Sequence, residues 1–353
     1  MQFVTKVKSE LKNLYPGYFA LVMATGIIET ACRQLHFEQL ASLLFFLNNG
    51  QFIILLLLLT SRVTWFFPQV KEDVTSHKKG AGFLTIIAAS CVLGSEYVQG
   101  QHSFSGGTLL LLFALIAWTL LLYTFLSLTI LQKEKPSPET GLNGSWLLIV
   151  VSTQSLVILA ASLSDHLPVN PEITFFTTLT AWLVSILFYV VLLTLLFYRL
   201  TFYRVTPAEI TPDYWIDTGA AAISALAGVT LINASDGLLV VQQYIPIIKL
   251  LCVLLWGAAT FWLPLLCILE TWRHVKSGFK YNPAYWSLVF PLGMYTVASL
   301  KLSPILETTF PGAIGHIFIY VALVAWIFIF IAMVHNIINK LTVNRDPGYS
   351  DMQ

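Results

Sequence analysis

Apolar residues in this chain gather into ten long stretches separated by short polar intervals. An apolar run of about 20 residues crosses a bilayer as a helix. The pattern therefore predicts spans over 16–35, 40–61, 80–99, 108–131, 144–163, 173–198, 214–233, 245–270, 284–301 and 312–339. The stretches alternate in kind. Odd-numbered ones are rich in Gly, Ala, Ser and Thr, as in TGAAAISALAG over 218–228, whereas even-numbered ones are walls of Leu, Ile, Phe and Trp, as in IILLLLL over 53–59. Small residues let helices approach closely or leave room for a path, and bulky apolar residues suit lipid. The expected fold is an all-α membrane protein, with odd helices in an inner ring and even helices in an outer one. That is the form of a pore or a transporter.

Composition agrees: 57% of residues are hydrophobic and 10% charged, against about 25% charged in a typical soluble domain. The intervals between spans are too short for a separate soluble domain. The expected organisation is a juxtamembrane segment 1–15, a transport domain 16–340 and a tail 341–353, with no enzymatic domain appended. The first 15 residues carry Lys6, Lys8, Glu10 and Lys12 without a small-residue cleavage site, so they do not read as a cleavable signal peptide. Phe3, Val7, Leu11 and Leu14 recur at helical spacing, which predicts a short interfacial helix, a frayed tail being the alternative.

Charge sets the orientation. When the intervals are assigned alternately to two sides, the side of the N-terminus collects all but three of the 19 Lys and Arg residues, from Lys6 through Arg62, Lys79, Arg199 and Arg273 to Lys340 and Arg345. The exceptions are Arg33, Lys249 and Lys301. Cations concentrate in short cytoplasmic loops, so both termini are expected in the cytoplasm and the protein in the plasma (inner) membrane.

Little soluble-enzyme chemistry is written here. No phosphate-binding loop, HExxH motif, serine-nucleophile elbow or dinucleotide fingerprint occurs. The cysteines Cys32, Cys91, Cys252 and Cys267 stand singly and the histidines are scattered, so no metal, cofactor, disulfide or nucleic-acid partner is expected. The candidate chemistry lies in the odd spans, where Gly26, Gly94, Gly144, Gly219, Pro291 and Gly293 could kink helices or line a conduit with backbone. Close packing of an inert bundle is the alternative. Ionisable residues in or beside spans are few: Glu29, Glu96, Asp213, Asp217, Asp236, Lys249, Glu270, Lys301 and Glu307. Intramembrane charge is costly and marks function. Lys301 could draw anions to an external mouth or pair with Glu307. Asp217 and Glu29 are candidate proton sites.

Four segments resemble a known family. PGYFALVMATGI (Pro16 to Ile27), FLTIIAASCVLG (Phe83 to Gly94), NGSWLLIVVSTQS (Asn143 to Ser155) and YWSLVFPLGMYTVASLKLS (Tyr285 to Ser303) are similar, in order, to helices of the tellurite-resistance/C4-dicarboxylate transporter family. That family includes the plant guard-cell slow anion channels and the yeast malate transporter. The resemblance implies ten helices in five hairpins with quasi-fivefold symmetry, the odd helices lining a pore in each protomer of a homotrimer. It implies transport of small anions, malate-like C4-dicarboxylates or inorganic ions, by a protein that is not an enzyme. A proton-coupled dicarboxylate or sulfite exporter is the alternative, and a non-transporting sensor or scaffold the third reading. In the family's anion channels a Phe just before a Pro on the ninth helix plugs the conduit; here that position is Phe290. Glu29 departs from the family pattern. Facing a conduit it would oppose anions unless protonated or paired; at the outer interface it would be inert.

Overall fold

The computed structural model describes residues 2–235 and 238–342. Asp236 and all but the first two residues of the 341–353 tail lie outside them. Among the described residues the protein is wholly helical. In chain order, α1 (Gln2–Lys12), α2 (Ala20–Gln34), α3 (Glu38–Trp65), α4 (Phe67–Thr75), α5 (Thr85–Gln101) and α6 (Phe104–Leu131) make up the first part. The short α7 (Pro138–Gly141) follows, then α8 (Leu148–Ser162), α9 (Pro171–Phe202), α10 (Ile216–Asn233), α11 (Ile245–Ser277), α12 (Trp286–Ile305) and α13 (Phe310–Thr342).

Five of these helices are short, and each is entered through a 3₁₀ turn: Pro16–Phe19, Gly80–Leu84, Gly144–Leu147, Pro212–Trp215 and Pro283–Tyr285. The sequence accounts for this entry. Pro16, Pro212 and Pro283 begin their turns, where a missing amide hydrogen costs nothing. Asn143 and Asn282 cap theirs, each side-chain oxygen accepting a backbone N–H two residues on at 2.9 Å.

Nine helical stretches among the described residues are long and apolar enough to cross a membrane. They do not include Pro16–Gln34, whose Glu29 and Arg33 dilute its apolar character. The nine fall into two kinds. In Gly80–Gln101, Gly144–Ser162, Pro212–Asn233 and Pro283–Ile305, between 67% and 94% of the most apolar window is buried; in α3, α6, α9, α11 and α13 only 22–33% is. Small residues are therefore inside and the Leu, Ile and Phe walls outside, where Leu57, Leu109, Leu187 and Ile331 stand exposed.

The short helices pack in a closed cycle, α2 on α5, α5 on α8, α8 on α10, α10 on α12 and α12 back on α2. Each also packs on the long helix that follows it, α3, α6, α9, α11 or α13. The five 3₁₀ turns form a second closed cycle, each touching the next, so the N-terminal ends of the short helices converge at one end of the bundle.

Candidate functional site

Helical spacing places Phe290, Met294, Val297 and Lys301 on one stripe of α12, and Gly219, Ile223, Leu226 and Thr230 on one stripe of α10. A small cavity of about 40 Å³ lies where such stripes meet. All five short helices line it. Thr30 comes from α2, Val92, Ser95 and Gln99 from α5, Ile158 from α8, Ile223 and Thr230 from α10, and Met294 and Lys301 from α12. The contributions come from the middle and the C-terminal part of each helix, none from its first turn. With the N-terminal turns gathered at the other end, the five helices run parallel around a common axis.

The hydroxyls on this cavity are spent on their own helices. Thr30, Ser95, Ser155 and Thr230 each donate to the carbonyl one turn earlier, at 3.0, 3.0, 2.8 and 2.9 Å. Unspent donors lie at the mouth. There Lys301 also lines a wide vestibule of about 680 Å³ with Gln34, His36, Asn233, His316 and Tyr320. Among the described residues Lys301 has no hydrogen-bond or ion-pair partner. Glu307, the partner named as an alternative, is exposed in a turn with φ 54° and does not pair with it.

Phe290 is 2% exposed. It lies one helical turn before Met294, toward the ring of 3₁₀ turns, on the stripe that lines the cavity. A Cβ on Gly219 would come within 2.9 Å of the Pro291 ring and 3.5 Å of the Phe290 ring, so the glycine lets α10 close against α12 at this level. Pro291 sits inside α12 and offers no amide hydrogen to the carbonyl one turn earlier. The other glycines singled out from sequence, Gly26, Gly94, Gly144 and Gly293, also stand at close approaches. Their missing Cβ atoms would come within 2.1–2.7 Å of Glu96, Leu159, the Asp213 carbonyl and Ile27 respectively. None of the five glycines lines the axial cavity.

Glu29 is 1% exposed and paired: Arg33 donates to its Oε1 through Nε at 2.8 Å and Nη2 at 2.5 Å. Glu29 is thus buried beside a cation and off the axial cavity. The i, i+4 spacing of acid and base is a signal that could have given this pairing. Glu29 and Arg33 line a side pocket of about 220 Å³ with Thr30, Gln34 and Gln99, next to the cavity mouth. Glu96 is buried as well and accepts from Asn48 Nδ2 at 2.5 Å. That contact joins α5 to α3 and has no local sequence signal. Asp217 is buried in the first turn of α10, accepts from the Tyr189 hydroxyl at 3.1 Å, and lines none of these cavities.

The opposite end is sealed by polar contacts around the 3₁₀ turns. Asp213 accepts from the hydroxyls of Tyr15 at 3.3 Å and Ser287 at 3.4 Å, while the Tyr18 and Tyr281 hydroxyls lie 3.4 Å apart. Burial, reinforced by Asp213 alongside, pushes the Tyr15 phenol well above its ordinary range, and burial likewise raises Tyr281. Both remain neutral, and Tyr15 donates to Asp213. Arg199 and Arg273, at the ends of α9 and α11, donate to the hydroxyls of Tyr214 and Tyr285 in the turns that follow. Arg62 plays the matching part at the end of α3, donating to the Lys12 carbonyl at 3.1 and 3.2 Å and to Asp73 at 2.5 Å. The charge pattern placed these arginines on one side without showing that Arg199 and Arg273 hold the turns and Arg62 ties α3 to α1 and α4.

An uncharacterized transporter of Methanocaldococcus jannaschii is 25% identical over 321 residues, covering 86% of this chain and 88% of its own length. The sulfite efflux pump SSU1 of Arthroderma benhamiae is 24% identical over 373 residues, covering 94% of this chain and 92% of the pump. An uncharacterized membrane protein of Mycobacterium tuberculosis is 32% identical over 129 residues, 36% of this chain and 65% of that protein. The family profile described as voltage-dependent anion channel matches residues 13–334. With its apolar helices and axial cavity, this multi-pass membrane protein belongs to the voltage-dependent anion channel family.

Proposed function

We propose that this protein carries small anions across the membrane along the axis of the five short helices, with Phe290 as the constriction. Pro16–Gln34 joins the nine apolar helices as a tenth span, giving five hairpins around a central pore. The carrying observation is the axial cavity, lined by all five inner helices and ending one turn short of Phe290. A bulky apolar ring at that level gates by occlusion and by excluding water. Both termini face the cytoplasm of the plasma membrane, as the charge asymmetry favours, and three protomers assemble with one pore each, as the family resemblance implies.

The cargo class is small oxyanions. Full-length similarity to sulfite efflux pumps puts sulfite first, with nitrate, chloride and malate-like C4-dicarboxylates as the other arms of the test. A second reading, proton-coupled export, rests on the buried carboxyls of Glu29 and Asp217. Proteoliposomes loaded with sulfite, nitrate, chloride or malate and assayed at two pH values test both readings. Flux of at least one anion above protein-free vesicles is expected, and no flux of any would overturn the assignment. Flux unaffected by an imposed pH gradient would refute coupling.

A further inference from the structure

Among the described residues the vestibule combines one cation, two imidazoles, amides and a phenol with no carboxylate. Its cation, Lys301, belongs to both the 680 Å³ vestibule and the 40 Å³ axial cavity, so it stands at the junction between them. Arg33 nearby is already neutralised, by Glu29 at 2.5 Å and Glu38 at 3.4 Å. Lys301 has no such partner among the described residues. Gln34 supplies an independent second observation: it lines the vestibule and the side pocket, and both its amide atoms are buried without a hydrogen-bond partner. A polar atom left so costs about 1–3 kcal/mol, so an orphaned donor beside an unpaired ammonium fits a site made to accept a ligand with anionic oxygens.

We propose that Lys301 and Gln34 form a docking site for a small oxyanion at the vestibule floor, where the ion is captured before it enters the five-helix cavity. This rests on the transport reading above and adds the residues that set apparent affinity. Five parallel helices end toward this mouth, each C-terminus carrying roughly half a negative charge. Without a cation such a mouth would repel the cargo. The cavity beyond is only about 40 Å³ and walled largely by apolar side chains and back-bonded hydroxyls, so an entering ion must shed much of its hydration. Charge-assisted bonds from Nζ and a bond from Nε2 replace part of that shell. The bland role for Lys301, a cation that favourably ends α12, leaves the orphaned Gln34 unexplained.

The test is the concentration dependence of sulfite flux into proteoliposomes, read as half-saturating concentration and maximal rate. Lys301→Gln is expected to raise the half-saturating concentration about tenfold, equivalent to ~1.4 kcal/mol, with maximal rate changed far less. Lys301→Arg should stay within about threefold of wild type, since the charge is kept. Gln34→Leu should raise the half-saturating concentration in the same direction, which keeps the test decisive should Lys301→Gln fail to insert. Unchanged half-saturation in Lys301→Gln or Gln34→Leu, with wild-type flux present, overturns the docking site and leaves the transport assignment standing. Absence of flux in wild type overturns the transport assignment itself.

Discussion

Shortening Phe290 is the most direct way to probe the pathway. Phe290→Ala removes about 100 Å³ of side chain, the space of roughly three waters. Phe290 lies four residues, about 6 Å of helix rise, before Met294 on the cavity stripe. Its removal therefore extends the 40 Å³ cavity toward the ring of 3₁₀ turns. The neighbour least able to refill the space is Gly219, which has no side chain to rotate inward. The stability cost of a core Phe→Ala change is about 3–5 kcal/mol, so folding must be monitored by thermal unfolding of the purified protein in detergent. The barrier to an ion crossing a dry constriction exceeds this easily, and lowering it by only ~1.4 kcal/mol raises flux tenfold. The expected result is maximal anion flux increased at least about tenfold by Phe290→Ala, with Leu and Val intermediate in order of size. Half-saturation should move little, because capture lies two turns or more away. Flux equal to wild type in a folded Phe290→Ala protein, or no ordering with side-chain volume, would refute the assignment.

Three further changes separate the neighbouring roles. Gly144→Ala places a Cβ 2.1 Å from the backbone carbonyl of Asp213, which no side-chain rotation relieves; a loss of about 3 kcal/mol is expected, and an unchanged melting temperature would contradict it. Arg62→Ala leaves the nearly buried Asp73 with Lys79 alone. A cost of about 3–5 kcal/mol is expected for breaking that buried pair, against under ~1 for Lys79→Ala on its exposed partner, and equal melting shifts would remove the distinction. Glu29→Gln removes one negative charge beside the cavity mouth and leaves Arg33 with the exposed Glu38 alone, at 3.4 Å. A unit charge ~8 Å away through an effective dielectric of ~40 is worth about 1 kcal/mol, so flux at low anion concentration should rise roughly fivefold, and a fall or no change would count against the mouth geometry.

How much of this was legible differs by the range of the interaction. Helix positions were readable because lipid imposes them: the small-residue stretch 80–99 became Gly80–Gln101, and 144–163 became Gly144–Ser162. The outer helices overran, α9 reaching Phe202 rather than 198 and α11 Ser277 rather than 270. Hydropathy marks where lipid ends, whereas a helix stops where its backbone bonds find another partner. The Glu29–Arg33 pair was within reach of a helical-spacing argument. Glu96 with Asn48, 48 residues apart, and Arg199 with Tyr214, 15 apart, were not, because only the tertiary packing of separate helices creates them. Gln34 was invisible for a different reason: an orphaned amide is defined by what surrounds it, which composition cannot express.

The position of Phe290 along its own helix also bears on mechanism. It is the fifth residue of α12, and Gly219 the fourth of α10, so the proposed constriction lies within the first turns of the inner helices. There the parallel helices present their N-terminal ends, each worth roughly half a positive charge. An anion squeezed past an apolar ring has lost its water but meets the favourable ends of five helix dipoles, the physical basis of anion binding at helix N-termini. At the far mouth the dipole ends are unfavourable, and there Lys301 stands unpaired. The two sites thus divide one electrostatic problem. The helix ends support the ion where side-chain donors are lacking, and a lysine supplies charge where the helix ends oppose it. This division explains how a pathway with apolar walls and back-bonded hydroxyls could pass anions without a ring of cations along its length.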